Sequence, residues 1–152
     1  MVTLPSFKTL SGMLVSHVWF SDHSICYLEL GPLAPGRVRP NGSVGNPVGE
    51  VTVFLGYDWL VKSASSKAFR KDLHENKNER DALVIKIIGA TVESTSLFES
   101  SLEIEIHLSS GLTLVSFSTD DDGPDWNVGF NGYRNGWLNI EGGRLQFHTK
   151  KL

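Results

Sequence analysis

Apolar residues recur at every second position along most of the chain, the pattern of strands with one face on a core and the other in water. The segment LEIEIHL at 102–108 alternates strictly between apolar and polar residues. The turn SSG and the segment LTLVSF follow it, and together they predict a hairpin. In the first half, ICYLEL places one alternating set on an apolar face, namely Cys26, Leu28 and Leu30.

The same order of segments occurs in both halves of the chain. LSGMLVSHVWF, ICYLELG and GEVTVFLGYDW are followed by IIGATVESTSLF, LEIEIHLSSG and LTLVSFSTDDDGPDW. The matched positions are Gly12 with Gly89, Val15 with Val92, Leu28 with Ile106, and Asp58-Trp59 with Asp125-Trp126. Each half is predicted to be a three-stranded meander ending near a tryptophan, and the two bury their apolar faces together.

These patterns predict a mainly β fold, a β-sandwich or partly open barrel from two three-stranded meander repeats, with at most one short helix between them. One domain spans 1–152, with repeats at about 10–60 and 84–127, a polar linker at 61–83 and a terminal hairpin at 128–152. In the linker, a helix is predicted at 66–75, capped by Ser66 with Phe69 and Leu73 on one face, and a solvated loop after it. Segment 31–50, rich in glycine and proline, predicts a long exposed loop.

Composition narrows the possible partners and compartments. The net charge of -3 argues against nucleic acid, and no apolar run reaches the roughly 18 residues of a membrane span. The single cysteine cannot form an internal disulfide, and the first twenty residues do not match a signal peptide. We therefore expect a cytoplasmic protein that binds neither nucleic acid nor membrane.

The segment STDDDGPDW at 118–126 is the most conspicuous candidate for a metal site. Placing Gly123 at the sixth position of a calcium loop puts Gly129, instead of glutamate, at the twelfth. An irregular cation site stays an alternative, but the first half retains only Asp58 of this cluster. We therefore expect a solvated turn before a buried tryptophan, with no metal or cofactor. These aspartates also form an acidic patch that suits a basic partner.

Candidate catalytic residues are few. Asp22, His23 and Cys26 are the one local set with the chemistry of a nucleophile, a base and an orienting group. The alternation of ICYLEL sends Cys26 to the apolar face, which favours a core residue. No catalytic residue is predicted.

The segment FNGYRNGW at 130–137 is predicted to be a recognition loop. Its aromatic and arginine side chains lie among glycines and asparagines, a composition typical of binding surfaces. The other tryptophans are expected in the core. The predicted partner-binding residues are Asp120, Asp121, Asp122, Asp125, Tyr133, Arg134 and Trp137.

The pattern Gly-x-x-Val, an alternating strand and a GE strand ending in tryptophan, repeated at 87–126, resembles small uncharacterised bacterial proteins with a duplicated β-meander. Such proteins are similar in size and acidity to the immunity proteins found beside bacterial toxins. The resemblance implies a non-enzymatic protein that neutralises a basic toxin domain by covering its active site, and it carries over no catalytic residues.

Two alternatives from other classes stay open. One is a small-ligand or carbohydrate-binding module, or a metal-dependent hydrolase, with its site near Asp120–Asp125. The other is a homodimer formed through an exposed strand edge.

Overall fold

The structure is a computed structural model that describes residues 6–118, 123–131 and 136–149. Within these residues the chain is mainly β, as predicted, and forms eleven strands in two antiparallel sheets that do not close into a barrel. The six-stranded sheet contains, in spatial order, β1 (Val15–Phe20), β2 (Cys26–Leu30), β3 (Val51–Leu55), β9 (Trp126–Phe130), β10 (Gly136–Glu141) and β11 (Arg144–Thr149). The five-stranded sheet contains β5 (Lys67–Phe69), β4 (Trp59–Lys62), β8 (Thr113–Ser116), β7 (Ile104–Leu108) and β6 (Val92–Leu97).

Each sheet combines one meander with strands from the other half of the chain: β9 to β11 join the first meander, and β4 and β5 join the second. Strands β1 to β3 form one meander and β6 to β8 the other. After β3 the chain crosses to the second sheet, where β4 pairs with β8; after β8 it crosses back, where β9 pairs with β3. Trp59 and Trp126 therefore begin strands in the opposite sheet, whereas the sequence pattern placed them at the ends of third strands.

The starts of the two meanders are hydrogen-bonded to each other. The Gly12 amide donates to the Val92 carbonyl at 2.7 Å, and the Gly89 amide donates to the Val15 carbonyl at 2.9 Å. Both glycines have a φ near +90°, at 85° and 92°, a region that side chains disfavour. A register irregularity follows Val15 in β1 and Val92 in β6. These contacts join the two meanders at equivalent points.

Two tryptophans anchor the loops inside the meanders. The Trp59 indole N–H donates to the Ser24 carbonyl at 3.1 Å, and the Trp126 indole N–H donates to the Leu102 carbonyl at 2.9 Å. Ser24 and Leu102 have φ values of 59° and 60°, which non-glycine residues rarely adopt. We attribute this backbone conformation to the carbonyl positions that the indoles require.

Side chains from both sheets fill one core. Cys26, Leu28 and Leu30 are fully buried, as the alternation in β2 predicts. The strand predicted at 102–108 is confirmed over Ile104–Leu108, where the alternate apolar residues are also buried. The predicted terminal hairpin is confirmed as β10 and β11, joined by Gly142 and Gly143 at positive φ.

The short helix predicted at 66–75 is confirmed over its last six residues, but the solvated loop predicted after it and the limit of one helix are wrong. Two helices occupy this region, α1 at Arg70–Glu75 and α2 at Lys77–Ile87. The Asn76 side chain accepts a hydrogen bond from the Glu79 amide at 3.2 Å and caps α2, which buries Leu83 and Ile87. Ile85, which is 79% exposed, obscures this helical spacing in the sequence.

The predicted cap of the first helix is also wrong. Ser66 shares a hydrogen bond with Ser63 at 2.8 Å, and β5 lies between Ser66 and the start of α1. Phe69, which precedes Arg70, is 39% exposed, whereas Leu73 is buried. Neither described helix is long and apolar enough to cross a membrane.

Candidate functional site on the six-stranded sheet

The outer face of the six-stranded sheet carries two rows of side chains that run across the strands. Because successive residues of a strand face opposite sides, residues directly paired across strands share a face. One row contains Trp19, Tyr27, Phe54 and Asn127. The other contains Glu29, Thr52, Gly129, Trp137 and His148.

Aromatic side chains stand on both sides of β9. Trp19 stacks on Tyr27 with centroids 3.9 Å apart, and Phe54 contacts Tyr27 edge-on at 5.3 Å. On the other side, Trp137 stacks on His148 at 5.0 Å. These pairs fix the rings and leave β9 between two aromatic walls.

A shallow groove lies over β9 between these walls. One part has a volume of about 500 Å³ and is bordered by Val48 and Trp137. An adjoining part of about 450 Å³ is bordered by Tyr27 and Phe54. Both parts are lined by Asn127, Gly129 and Asn131, the outward positions at and just after β9. We call this surface the β9 groove.

Gly129 keeps the groove open, although the fold does not require a glycine there. A Cβ built on Gly129 has its nearest neighbours at 3.7 and 3.8 Å, which is ordinary contact. At Gly136, in contrast, a Cβ would lie 2.4 Å from the His148 carbonyl oxygen, so packing does require glycine. Since Gly129 is the cross-strand neighbour of Trp137, the indole face turned away from His148 borders the groove.

Asn131 contributes an oriented amide to the groove. Its side-chain nitrogen donates to the Gly49 carbonyl at 3.0 Å and to the Thr52 hydroxyl at 2.8 Å. Its carbonyl oxygen lies 3.7 Å from a Cβ built at Gly129. The amide therefore presents a hydrogen-bond acceptor over the floor of the groove.

Glu29 organises one side of this face. It is only 1% exposed and accepts hydrogen bonds from the Trp19 indole at 2.9 Å and the Gly49 amide at 3.1 Å. The Thr52 hydroxyl also donates to it. These donors satisfy the buried carboxylate and connect β1, β2 and β3 to the segment that precedes β3.

That segment, residues 31–50, forms a paired extension that we call the arm. Ala34 pairs with Val48, and Val38 pairs with Val44 nearer the tip. The Asn46 side chain bonds His17 at 3.0 Å and so fixes the arm to β1. Val38 and Val44 are 66% and 61% exposed. The exposed loop predicted here is thus a paired arm. Val48 at its base borders the β9 groove, and Val38 and Val44 are exposed nearer its tip.

Five of the seven predicted partner-binding residues lie outside the described part of the chain: Asp120, Asp121, Asp122, Tyr133 and Arg134. The other two lie near opposite ends of β9. Trp137 lines the β9 groove. Asp125 is exposed and accepts hydrogen bonds from the Gly56 amide through its carbonyl, at 2.9 Å, and from the Tyr57 amide through its carboxylate, at 3.4 Å. It supports the crossing between sheets.

Sequence reasoning missed most of the groove. The signal was present in WNVGFN at 126–131, where Asn127, Gly129 and Asn131 alternate with apolar residues. That pattern predicts a strand with a polar outer face. The walls come from β2, β3 and β10, and only the pairing of strands reveals that they meet.

The cysteine and its neighbours do not form a nucleophilic site. Cys26 is fully buried in the core, and burial raises the pKa of its thiol. The Ser24 hydroxyl is hydrogen-bonded to His74 Nδ1 at 2.8 Å and accepts a hydrogen bond from the Arg80 guanidinium at 2.9 Å. Ser24 is fully buried, so a substrate does not reach this hydroxyl. Its unusual φ recurs at Leu102, which has no hydroxyl, so tryptophan anchoring accounts for that geometry.

Among the residues that the structure describes, no group of three or more histidine, cysteine, aspartate or glutamate side chains is placed to hold a metal ion. Most of the aspartate run falls outside this set. No family model, curated protein or solved structure compared with the chain matches it.

Proposed function

We propose that this is a non-enzymatic binding protein that recognises a protein partner through the β9 groove and the arm. The observation that carries the proposal is Gly129. It leaves a gap between two ordered aromatic walls at a position where the fold accommodates a side chain. Such a gap has a simple explanation if a partner group fills it.

The shape of the surface favours a protein over a small molecule. Pockets for small ligands bury most of the ligand, whereas the β9 groove is shallow and open along the strand. The arm extends the surface with the exposed pair Val38 and Val44. Aromatic anchors surrounded by polar groups are typical of the centres of protein interfaces.

The arm also constrains the charge of the partner surface it meets. Arg37 and Arg39 lie towards the tip of the arm, and its one acidic residue, Glu50, lies at the base next to β3. An acidic or neutral patch on the partner complements this arm, whereas the net charge of -3 favours encounter with a protein that is basic overall.

A toxin-neutralising role fits this mode of action. A partner whose active-site rim enters the β9 groove is covered by the arm and the six-stranded sheet, and its substrate is excluded without any reaction by this chain. We propose this role as that of an immunity protein acting in the cytoplasm.

We also propose that the two halves of the chain derive from one duplicated unit. Support comes from the reciprocal bonds that Gly12 and Gly89 make and from the equivalent anchoring of Trp59 and Trp126. In each unit the strand after the meander pairs in the other sheet, so we expect neither meander to fold alone.

A second candidate is a carbohydrate-binding module. Trp137 at the border of the groove suits stacking against a sugar ring, and the neighbouring amides suit its hydroxyls. A glycan array separates the two proposals. Saturable binding of one glycan that is lost in Gly129→Ile, without any protein partner, supports the second candidate and contradicts the first.

The direct test uses proteins encoded beside this gene. Each is purified with the chain, and calorimetry measures the affinity of any complex. We expect a stable heterodimer that Gly129→Ile weakens by at least about tenfold, since its side chain fills the groove. Lys71→Glu changes a residue of α1 that does not line the β9 groove, and this control should retain affinity. Equal affinity of Gly129→Ile and the native chain contradicts the proposed surface.

A further inference from the structure

A second concave surface lies between α2 and the hairpin formed by β4 and β5. It has a volume of about 410 Å³ and takes residues from four elements and two turns. None of its lining residues belongs to the β9 groove. We call it the lysine cleft.

The interior of the lysine cleft is apolar. Val61 of β4, Leu73 of α1 and Leu83 of α2 line it and are 5%, 3% and 7% exposed. Leu112, from the turn before β8, adds a partly buried side chain. An apolar group that enters the cleft therefore leaves water and contacts a preformed hydrocarbon surface.

The rim of the lysine cleft is cationic. Lys62, Lys67 and Lys86 line it together with one carboxylate, Glu79, in a chain whose net charge is -3. Lys62 is paired with Glu105 at 3.2 Å. Within the described residues, Lys67 and Lys86 have no carboxylate within ion-pair distance. The Lys67 ammonium lies 5.4 Å from the centroid of the Phe69 ring, and Glu79 is the one carboxylate that lines the cleft. The three lysines therefore outnumber the carboxylate, and the cleft carries a surplus of positive charge.

We infer that the lysine cleft binds a small organic carboxylate with an apolar body, such as a medium-chain fatty acid. The apolar interior takes the hydrocarbon, and the ammonium groups of Lys67 and Lys86 take the carboxylate at the rim. The volume lies near the lower end of the roughly 300–1,000 Å³ found for small-ligand pockets, which limits the ligand to a short one. The site is independent of the proposed partner surface.

The test titrates decanoate, below its micelle-forming concentration, into the native chain and follows amide shifts by NMR. We expect saturable one-to-one binding, with the largest shifts at Ala82, Leu83 and Leu112. Decylamine, which has the same tail and the opposite charge, should bind at least about tenfold more weakly. Shifts spread over both sheets, or equal binding of decylamine, overturn the inference.

Matched variants separate a local charge effect from a change in total charge. Lys67→Glu with Lys86→Glu should weaken decanoate binding at least about tenfold. Lys71→Glu with Lys77→Glu makes the same change in net charge on residues outside the cleft and should stay within about twofold. Ala82→Trp retains the lysines but fills the cleft, and it should abolish binding. Equal loss in both charge variants, or retained affinity in Ala82→Trp, contradicts the inference. If the first variant does not fold, Ala82→Trp and the native shift map still decide.

Discussion

At the scale of single residues, the glycines of the sheet separate structural need from function. Gly129 of β9 and Gly136 of β10 lie on two paired strands. A Cβ fits at Gly129, whereas a Cβ at Gly136 would collide with the His148 carbonyl oxygen. A glycine inside a strand weakens it, because the unfolded chain loses more freedom and no side chain packs. Gly129 therefore carries a cost that packing does not explain.

This contrast predicts opposite effects on stability. We expect Gly129→Ala to leave the free energy of unfolding unchanged or to raise it by up to about 1 kcal/mol, because alanine restricts the unfolded chain. Gly136→Ala should lower it by about 1–3 kcal/mol through overpacking. Urea unfolding followed by tryptophan fluorescence measures both. A loss of more than about 1 kcal/mol in Gly129→Ala would show that the fold needs this glycine.

Cys26 predicts a pH dependence. Burial raises the pKa of its thiol, so the folded chain retains the proton at a pH where the unfolded thiol, with a pKa of about 8.5, has lost it. The stabilising contribution is complete below about pH 8.5 and falls above it by up to about 1.4 kcal/mol per pH unit.

Cys26→Val removes this titration and serves as the comparison, because valine is also a small buried side chain. Between about pH 8.5 and pH 10, the native chain should lose roughly 2 kcal/mol more stability than the variant. Urea unfolding of both proteins at the two pH values gives the difference. Equal losses would mean that the thiol ionises as readily in the folded chain as in the unfolded one.

At the scale of elements, the arm depends on a carboxylate that lies far from its tip. Glu29 in β2 accepts from the Gly49 amide at the base of the arm and from the Trp19 indole. Hydrogen bonds to charged groups contribute about 1.5–3 kcal/mol each, so this residue holds the arm against the sheet.

Glu29→Ala should therefore loosen the arm without unfolding the core. Exchange of the Gly49 and Val48 amides, measured by NMR, should accelerate by at least about tenfold, because their local opening loses this bond. Glu50→Ala alters an exposed carboxylate next to the same base and is the control. Unchanged exchange in Glu29→Ala would show that other contacts fix the arm.

The elements differ in how far the sequence predicts them. Strands β2 and β7 follow from alternation, because every second residue, beginning at Cys26 and Ile104, is buried. The terminal hairpin follows from its glycine turn between two apolar segments, although no residue of β11 is fully buried. Helix α2 was missed because exposed Ile85 interrupts the spacing of Leu83 and Ile87. Glu29 lies on the face of β2 predicted to be solvated, yet it is buried and bonded to the Gly49 amide at the base of the arm. Alternation within β2 contains no information about this contact with the arm.

At the scale of the whole molecule, the exchange of strands makes the halves dependent on each other. Strand β4 pairs with β8 and strand β9 pairs with β3. Cutting the chain after Ile88 leaves each meander with an unpaired edge and an exposed apolar face, which is unfavourable in water.

We therefore expect fragments 1–88 and 89–152 to lack a cooperative thermal transition when separate, and to recover one when mixed in equal amounts. Circular dichroism measures the transition, and size-exclusion chromatography measures assembly. A cooperative transition in either isolated fragment would contradict the dependence that the sheet order implies.

The β9 groove could not be predicted from the sequence, because its walls come from strands that are distant along the chain. Only Trp137 among its lining residues was predicted as a binding residue, from the composition of the loop before it. Asp125, the one described residue among the aspartates chosen by the same kind of reasoning, lies at the other end of β9 and supports the sheet crossing.

The most direct measurement is the hydrogen-exchange footprint of the chain in complex with its partner. We expect slower exchange in the arm, in residues 127–131 and around Trp137, with the five-stranded sheet unchanged. Protection confined to β5, β6 or the helices, with the β9 groove exchanging as in the free protein, would contradict this expectation.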